Sequence, residues 1–338
     1  MIKMANYKGN ITLQEIKEKI LKAQNIVLTT HINPDGDALG SVLALLLILN
    51  EYNKHYIEKI YNFKTVRIVI DDDLPKYMSK FPESLAIEKL NHFETKEIDL
   101  LISLDCANVE RIGNVATLKE KAKETINIDH HISNTEHAEF NYISETASTA
   151  EIIYEFLDLF GVNVDKKIAE YIYLGIINDT GNFSHDNVTK ETFEICADLM
   201  KTGLNNNKIV NALYSMSMNK VNLYADVYSK KIIDNELNYI YYYLPYEKMQ
   251  ELEMTKDETD GIAENLLTIE GIDISMFVRE EEDGSKKGSL RCNSKYNVNE
   301  IAQLFNGGGH IKAAGFKTNL EFDDIVKKIK EQLLITKQ

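Results

Sequence analysis

Ile26-Val27-Leu28-Thr29-Thr30-His31-Ile32-Asn33-Pro34-Asp35-Gly36-Asp37-Ala38-Leu39-Gly40-Ser41 passes from an apolar strand, through a short polar turn, into an apolar helix that runs on to Leu49. A strand that is apolar throughout has both faces covered, the condition of a parallel sheet between layers of helices. Val66-Arg67-Ile68-Val69-Ile70, Leu100-Leu101-Ile102-Ser103-Leu104 and Thr125-Ile126-Asn127-Ile128 repeat the pattern, with helical stretches between them. The first half of the chain therefore reads as α/β with a parallel sheet. Ligands of such sheets bind beyond the carboxyl ends of the strands. His31, Asp105 and Asp129-His130 each stand just past a predicted strand, so three strands deliver polar residues to one edge.

Outward from this core the period changes. Ile152, Ile153, Phe156, Leu157 and Phe160 recur at helical spacing, as do Ile168, Ile172, Leu174 and Ile176 leading into Asn178-Asp179. Helical character persists from Lys190 to Tyr228. Tyr239 to Tyr243, Ile272 to Val278 and Gly288 to Arg291 then read as strands of a second, smaller α/β unit, with Tyr241-Tyr242-Tyr243 as core. The expected division is 1–190, a helical linker over 191–228, and 229–338.

The formal net charge of -15 over 338 residues repels polyanions, which excludes long duplex nucleic acid as a partner and limits any nucleic acid ligand to a short one. Cys106, Cys196 and Cys292 are far apart and form no CxxC pair, as in a reducing cytoplasm. The apolar run from Ala38 to Leu49 is too short to span a bilayer, and Met1 to Tyr7 lacks the apolar core of a signal peptide. A cytoplasmic protein with no membrane partner is expected. Lys286, Lys287, Arg291, Lys295, Lys312 and Lys317 face only Glu300 in their segment, which makes either a solvated edge or a basic pocket.

His31, Asp35 and Asp37 place an imidazole and two carboxylates on one turn, stiffened by Pro34 and tightened at Gly36; the same residues also make an ordinary helix-capping turn. Asp105 ends the most apolar strand, where an unpaired carboxylate is costly unless a cation or hydrogen-bond donors meet it. His130-His131 after Asp129 is either a ligand pair or a structural cluster. Asp179-Thr180-Gly181 is either a ligand site or a helix end with its glycine stop. Together these hard oxygen and imidazole donors could build a two-metal hydrolytic centre. Gly307-Gly308-Gly309-His310, with Ala313-Ala314-Gly315, is expected to form a strand-to-helix or helix-to-helix turn whose amides approach a phosphate, with Arg291 as a fork grip. Asp71-Asp72-Asp73 is expected to end a strand and cap a helix.

These motifs resemble the DHH phosphoesterase family, after Asp129-His130-His131, with a DHH-associated second domain marked by Gly307 to His310; the resemblance covers nearly the whole chain. It implies a two-domain α/β fold, 1–190 being catalytic and 229–338 substrate-binding, with the metal site in the cleft. It further implies one divalent ion on His31, Asp35 and Asp105 and another on Asp37, Asp105, His130 and Asp179. Manganese suits these ligands, with magnesium or cobalt as substitutes. In that reading Asp105 bridges, Asp129 orients a neighbouring histidine, His131 faces the substrate, and Arg291, Gly307, Gly308, Gly309 and His310 bind it. The short two-domain layout is similar to the cytoplasmic branch that hydrolyses very short RNA and removes the 3'-phosphate of 3'-phosphoadenosine-5'-phosphate (pAp). A c-di-AMP or pApA phosphodiesterase is the alternative and a non-catalytic nucleotide sensor ranks last. A homodimer is compatible with either enzyme.

Overall fold

The computed structural model describes residues 7–57, 64–94, 97–255, 257–293 and 296–337; Lys295 lies outside them. The chain divides into two compact units between Ser215 and Met216.

Unit 1 contains β1 (Tyr7–Gly9), α1 (Leu13–Lys22), β2 (Asn25–Thr29), α2 (Gly36–Ile57), β3 (Thr65–Ile70), β4 (Ile87–Lys89), β5 (Ile98–Leu104), β6 (Ala122–Asp129), β7 (Phe140–Ser144), α3 (Thr149–Phe160), α4 (Lys166–Asp179), α5 (Lys190–Met200) and α6 (Asn206–Tyr214). Among the described residues its sheet runs β1-β7-β6-β5-β2-β3-β4. Every pairing is parallel except that of β1 with β7. Strand alternation explains why the runs are apolar on both sides. Ile26, Leu28, Ile68, Leu100, Ile102 and Ile128 pack with residues of α2, α3 and α4, whereas Val27, Val69 and Leu101 pack on Ile112, Val115 and Leu118 of a 3₁₀ stretch spanning Glu110–Lys121. Helix α2 is buried nearly all round from Asp37 to Leu49, which accounts for the apolar run from Ala38 to Leu49. Among the described residues no helix is long and apolar enough to cross a membrane. The sheet grows in one direction from β2 to β3 and in the other from β2 to β5, so the β2/β5 boundary is a topological switch point, where an open α/β sheet forms its crevice.

Unit 2 contains α7 (Met218–Lys230), β8 (Ile232–Asp234), β9 (Tyr239–Leu244), α8 (Tyr246–Glu251), α9 (Ile262–Leu267), β10 (Ile274–Glu280), β11 (Lys286–Cys292), α10 (Val298–Gln303), β12 (Gly308–Gly309), β13 (Ala313–Thr318) and α11 (Phe322–Lys337). Among the described residues its sheet runs β12-β13-β11-β10-β9-β8, parallel only between β9 and β10. Tyr241 packs with α10 and α11 on one face, while Tyr242 packs with α7 and α9 on the other, so both are core as expected.

Three local expectations are corrected. Gly307 to His310 does not turn into a helix: Gly308 and Gly309 form edge strand β12, paired with Gly315 and Ala314, and His310 closes a hairpin by donating to Ala313 O at 2.7 Å. Close strand approach is what demands glycine here, because a Cβ on Gly307 would fall 2.3 Å from Gly315 O and one on Gly309 2.5 Å from Ala313 O. Asp71 to Asp73 cap no helix: Asp71 accepts from Asn114 N, Asp72 from Asn33 N, and Asp73 pairs with Lys89. The basic segment meets acids from elsewhere in the chain, since Arg291 pairs with Glu264, Lys317 with Asp283, and buried Lys286 lies 3.7 Å from Glu280.

Candidate metal centre

The loop after β2 is pinned from two sides. Ile32 N donates to Arg111 O at 2.6 Å, and Asn33 N to Asp72 Oδ2 at 2.6 Å. Asp35 then does two things at once. Its Oδ1 accepts from Asp37 N and Ala38 N at 3.0 and 3.1 Å, capping α2, while Oδ2 lies 3.9 Å from His31 Nε2. The capping turn and the ligand turn are thus one structure, using different oxygens. Asp37 is fully buried at the N-terminus of α3, where Thr149 N and Ala150 N donate to its two oxygens at 2.7 and 2.9 Å. Helix polarity there favours a carboxylate.

Room for Asp37 depends on Gly175 of α4, because a Cβ on Gly175 would sit 2.5 Å from Asp37 Oδ1 and 2.5 Å from Ala150 Cβ. Gly175→Ala is expected to destabilise unit 1 by about 1–3 kcal/mol through overpacking, despite the helical preference for alanine. A thermal midpoint a few degrees lower, with weakened divalent-metal binding, is the expected result; wild-type values for both would refute it.

Asp105 follows β5 with a positive φ of 56° and is 2% exposed. The turn beyond it is held by one carbonyl, Cys106 O, which accepts from Asn127 Nδ2, Asn134 Nδ2 and His137 Nε2 at 3.2, 3.2 and 2.9 Å. Such over-determination lets a non-glycine residue persist in a sparsely populated conformation. As a result the two oxygens of Asp105 face different partners: Oδ2 is 3.5 Å from His31 Nε2, and Oδ1 is 3.5 Å from His130 Nε2 and 3.2 Å from Thr149 Oγ1.

The chemistry of the donors fits cations. His31 Nδ1 donates to Ile32 O and His130 Nδ1 to Thr146 O, both acceptors only, so in each neutral ring Nε2 carries the lone pair. These lone pairs point at carboxylates. His130 Nε2 is buried without a hydrogen bond, although Asp179 Oδ2 is 3.1 Å away and so lies close without hydrogen-bond alignment. Ligand atoms of His31, Asp35 and Asp105 lie within 4.8 Å of one another, as do those of Asp37, His130 and Asp179, and those of Asp105, His130 and His131. The third group is the poorest cation site, because His131 Nδ1 is engaged by Asp129 Oδ1 at 2.8 Å.

Crowded carboxylates need such cations. Two like charges 5 Å apart cost about 3 kcal/mol at an effective dielectric constant of 20. Burial and then the Asp105 and Asp179 charges push Asp35 up to about 6, and the same causes hold Asp37 well above the usual carboxylate range. Burial opposes the charging of His31, but Asp105 and Asp35 outweigh it and raise its pKa; likewise Asp179, Asp37 and Asp105 raise that of His130. Asp105 is also pushed up by burial, yet His31, His130 and His131 bring it below the usual value.

Asp129 sits behind this cluster, fully buried at the end of β6, bonded through Oδ1 to His131 and through Oδ2 to Asn134, which Asn127 also holds. Burial lowers the pKa of His131, but Asp129 reverses this and raises it. Thr149, Asn127, Asn134 and Gly175 carried no motif signal in the sequence, and their roles follow only from contacts made in the folded chain. In unit 2, Arg291 lies on β11 with its guanidinium on Glu264 Oε1 at 2.6 Å. His310 is exposed at the hairpin beside it, and the amides of Gly307 and Gly309 are spent on Ala302 O and Asn299 Oδ1.

Two family models match this chain. The model of the DHH family, N-terminal domain, matches residues 25–176, and the DHHA1 domain matches residues 236–334. An uncharacterized protein of Mycoplasma genitalium is 33% identical over 323 residues, 90% of either chain. A bifunctional oligoribonuclease and PAP phosphatase NrnA of Thermus thermophilus is 28% identical over 93% of this chain and 91% of its own, and the protein of that name in Bacillus subtilis is 29% identical over 89% and 91%. Among solved structures, an exopolyphosphatase-related protein from Bacteroides fragilis superposes with a TM-score of 0.85 at 25% identity, covering 96% of this chain and 97% of that one.

Proposed function

The chain belongs to the DHH family, and from that premise we propose that it is a metal-dependent phosphoesterase that cuts very short RNA to mononucleotides and removes the 3'-phosphate of pAp. One observation carries the reading: the single carboxylate of Asp105 turns one oxygen to His31 and the other to His130. His31, Asp35 and Asp105 would hold one divalent cation, and Asp37, His130 and Asp179 with Asp105 the other; manganese suits this set, with magnesium or cobalt as substitutes. When bound, such ions lower the pKa of water and neutralise phosphate charge.

The remaining residues then have definite tasks. Asp129 fixes His131 with Nδ1 inward, so that a raised pKa leaves Nε2 as a proton donor toward a departing ribose oxygen. Asn134 and Asn127 keep Asp129 from turning away. In unit 2, Arg291 and the Gly307, Gly308, Gly309 and His310 hairpin are assigned to nucleotide binding, Arg291 exchanging Glu264 for a phosphate. A 3'-phosphomonoester and a 3'-linked phosphodiester carry the same phosphorus on the same ribose oxygen, so one geometry serves RNA dinucleotides and pAp alike.

The test offers a 5'-phosphorylated RNA dinucleotide, pAp, pApA and c-di-AMP side by side to the protein in Mn²⁺. Mononucleotides from the generic dinucleotide and phosphate from pAp are expected. Turnover confined to c-di-AMP or pApA would replace the reading with a signalling phosphodiesterase, and none at all would leave a nucleotide sensor.

A further inference from the structure

The chain has four arginines, and three are neutralised: Arg67 forks onto Glu88, buried Arg279 onto Glu281, and Arg291 onto Glu264. Of the four arginines, Arg111 is the one with no carboxylate partner among the described residues, although the chain carries a net charge of -15. Its backbone is held firmly. Arg111 N donates to Asn108 Oδ1 at 3.0 Å, Arg111 O accepts from Ile32 N at 2.6 Å, and Ile112 beside it is buried against the sheet. The residue bonded to that carbonyl adjoins His31. Behind the turn, Gly113 leaves no space for a Cβ, which would meet Ile32 Cγ2 at 2.5 Å and Asp71 Oδ2 at 2.8 Å, so the Arg111 turn and the His31 loop form one packed surface. Asp71, against Gly113, accepts from Asn114 N, and Asp72 accepts from Asn33 N.

A guanidinium without a carboxylate partner, on a backbone bonded to the loop that carries His31 and Asp35, is suited to an anion rather than to the protein's own acids. Its planar fork matches two oxygens of a phosphate. We infer that Arg111 is a substrate-binding residue of unit 1, gripping the outer oxygens of the phosphate that is hydrolysed. The inference rests on the phosphoesterase reading above.

The test uses Arg111→Gln and Arg111→Lys in the full chain. Calorimetry measures the affinity for Mn²⁺ alone and for inorganic phosphate in the presence of Mn²⁺, and steady-state kinetics follow pAp and the 5'-phosphorylated dinucleotide. For Arg111→Gln, Mn²⁺ affinity within about twofold of wild type, phosphate affinity down about tenfold, and kcat/KM down roughly 10²–10³ on both substrates are expected, with partial recovery in Arg111→Lys. Wild-type phosphate affinity and kcat/KM in Arg111→Gln would overturn the inference. So would a parallel loss of Mn²⁺ affinity, which marks a structural role, or a loss on one substrate only, which moves the residue away from the reacting phosphate. If the wild-type protein turns over neither substrate the functional reading fails, while the phosphate calorimetry still decides whether Arg111 is an anion site.

Discussion

Asp105→Asn is expected to lower kcat/KM by roughly 10³-fold or more on every phosphate ester the protein hydrolyses, while the protein remains folded. The shape of the side chain is kept, so the effect isolates charge and acceptor capacity. Asparagine offers one acceptor oxygen and an amide NH₂, and the NH₂ must face either His31 Nε2 or His130 Nε2, which approach the two carboxylate oxygens at 3.5 Å each. Whichever side it takes, one group of donors loses an anionic ligand. Folding should be spared, because asparagine tolerates the left-handed backbone found at position 105, where φ is 56°, and because a like charge leaves a crowded cluster. Calorimetry should find Mn²⁺ binding weakened at least tenfold in one site, with the unfolding midpoint unchanged or higher. Turnover within tenfold of wild type, or unaltered metal binding, would remove Asp105 from the centre of the mechanism.

The second large effect is on stability in the absence of metal. The folded state raises the pKa of Asp35 to about 6, and raises those of Asp37, His31 and His130 as well. Each of these groups therefore binds its proton more tightly folded than unfolded. The sign follows by linkage: their contribution is favourable at low pH and is lost as pH rises through the folded values, so metal-free protein should be less stable at pH 8 than at pH 6. Asp105 has the opposite shift, but its contribution changes below the ordinary carboxylate range and lies outside this window. Divalent metal reverses the trend, since cations compete with protons for the same atoms and binding strengthens as pH rises. At a concentration 100 times Kd one Mn²⁺ adds about 2.7 kcal/mol, a shift of about 5–10 °C for a domain of this size. Thermal melts of chelator-treated protein at pH 6 and 8, with and without Mn²⁺, measure this. Equal midpoints at the two pH values and no response to Mn²⁺ would show that the carboxylates are not a cation site.

Much of the fold was legible because its signals are local. Apolar runs at 26–29, 66–70, 100–104 and 125–128 became parallel strands, and the polar residues just beyond them met at one edge, since a parallel sheet must align its carboxyl ends. Short and edge elements were not legible. β1 and β12 are three and two residues long, and no period can show itself over so few positions. The glycine run illustrates the ambiguity well, for permissive backbone is equally a phosphate turn or a close strand pairing, and only the position of Gly315 O distinguishes them.

What the sequence by itself determined is the kind and order of the chemical groups, namely imidazoles and carboxylates at strand and helix ends, together with an α/β core able to gather them. Covalent order and hydrophobic period suffice for that. The tertiary structure alone decided how the groups divide their atoms: Asp35 caps with one oxygen and faces His31 with the other, Asp37 is held by α3, Asp105 is turned between two histidines, and Arg291 is paired while Arg111 has no carboxylate partner among the described residues. Those assignments depend on hydrogen bonds and contacts between residues up to 113 positions apart, and such distances in space have no counterpart in spacing along the chain.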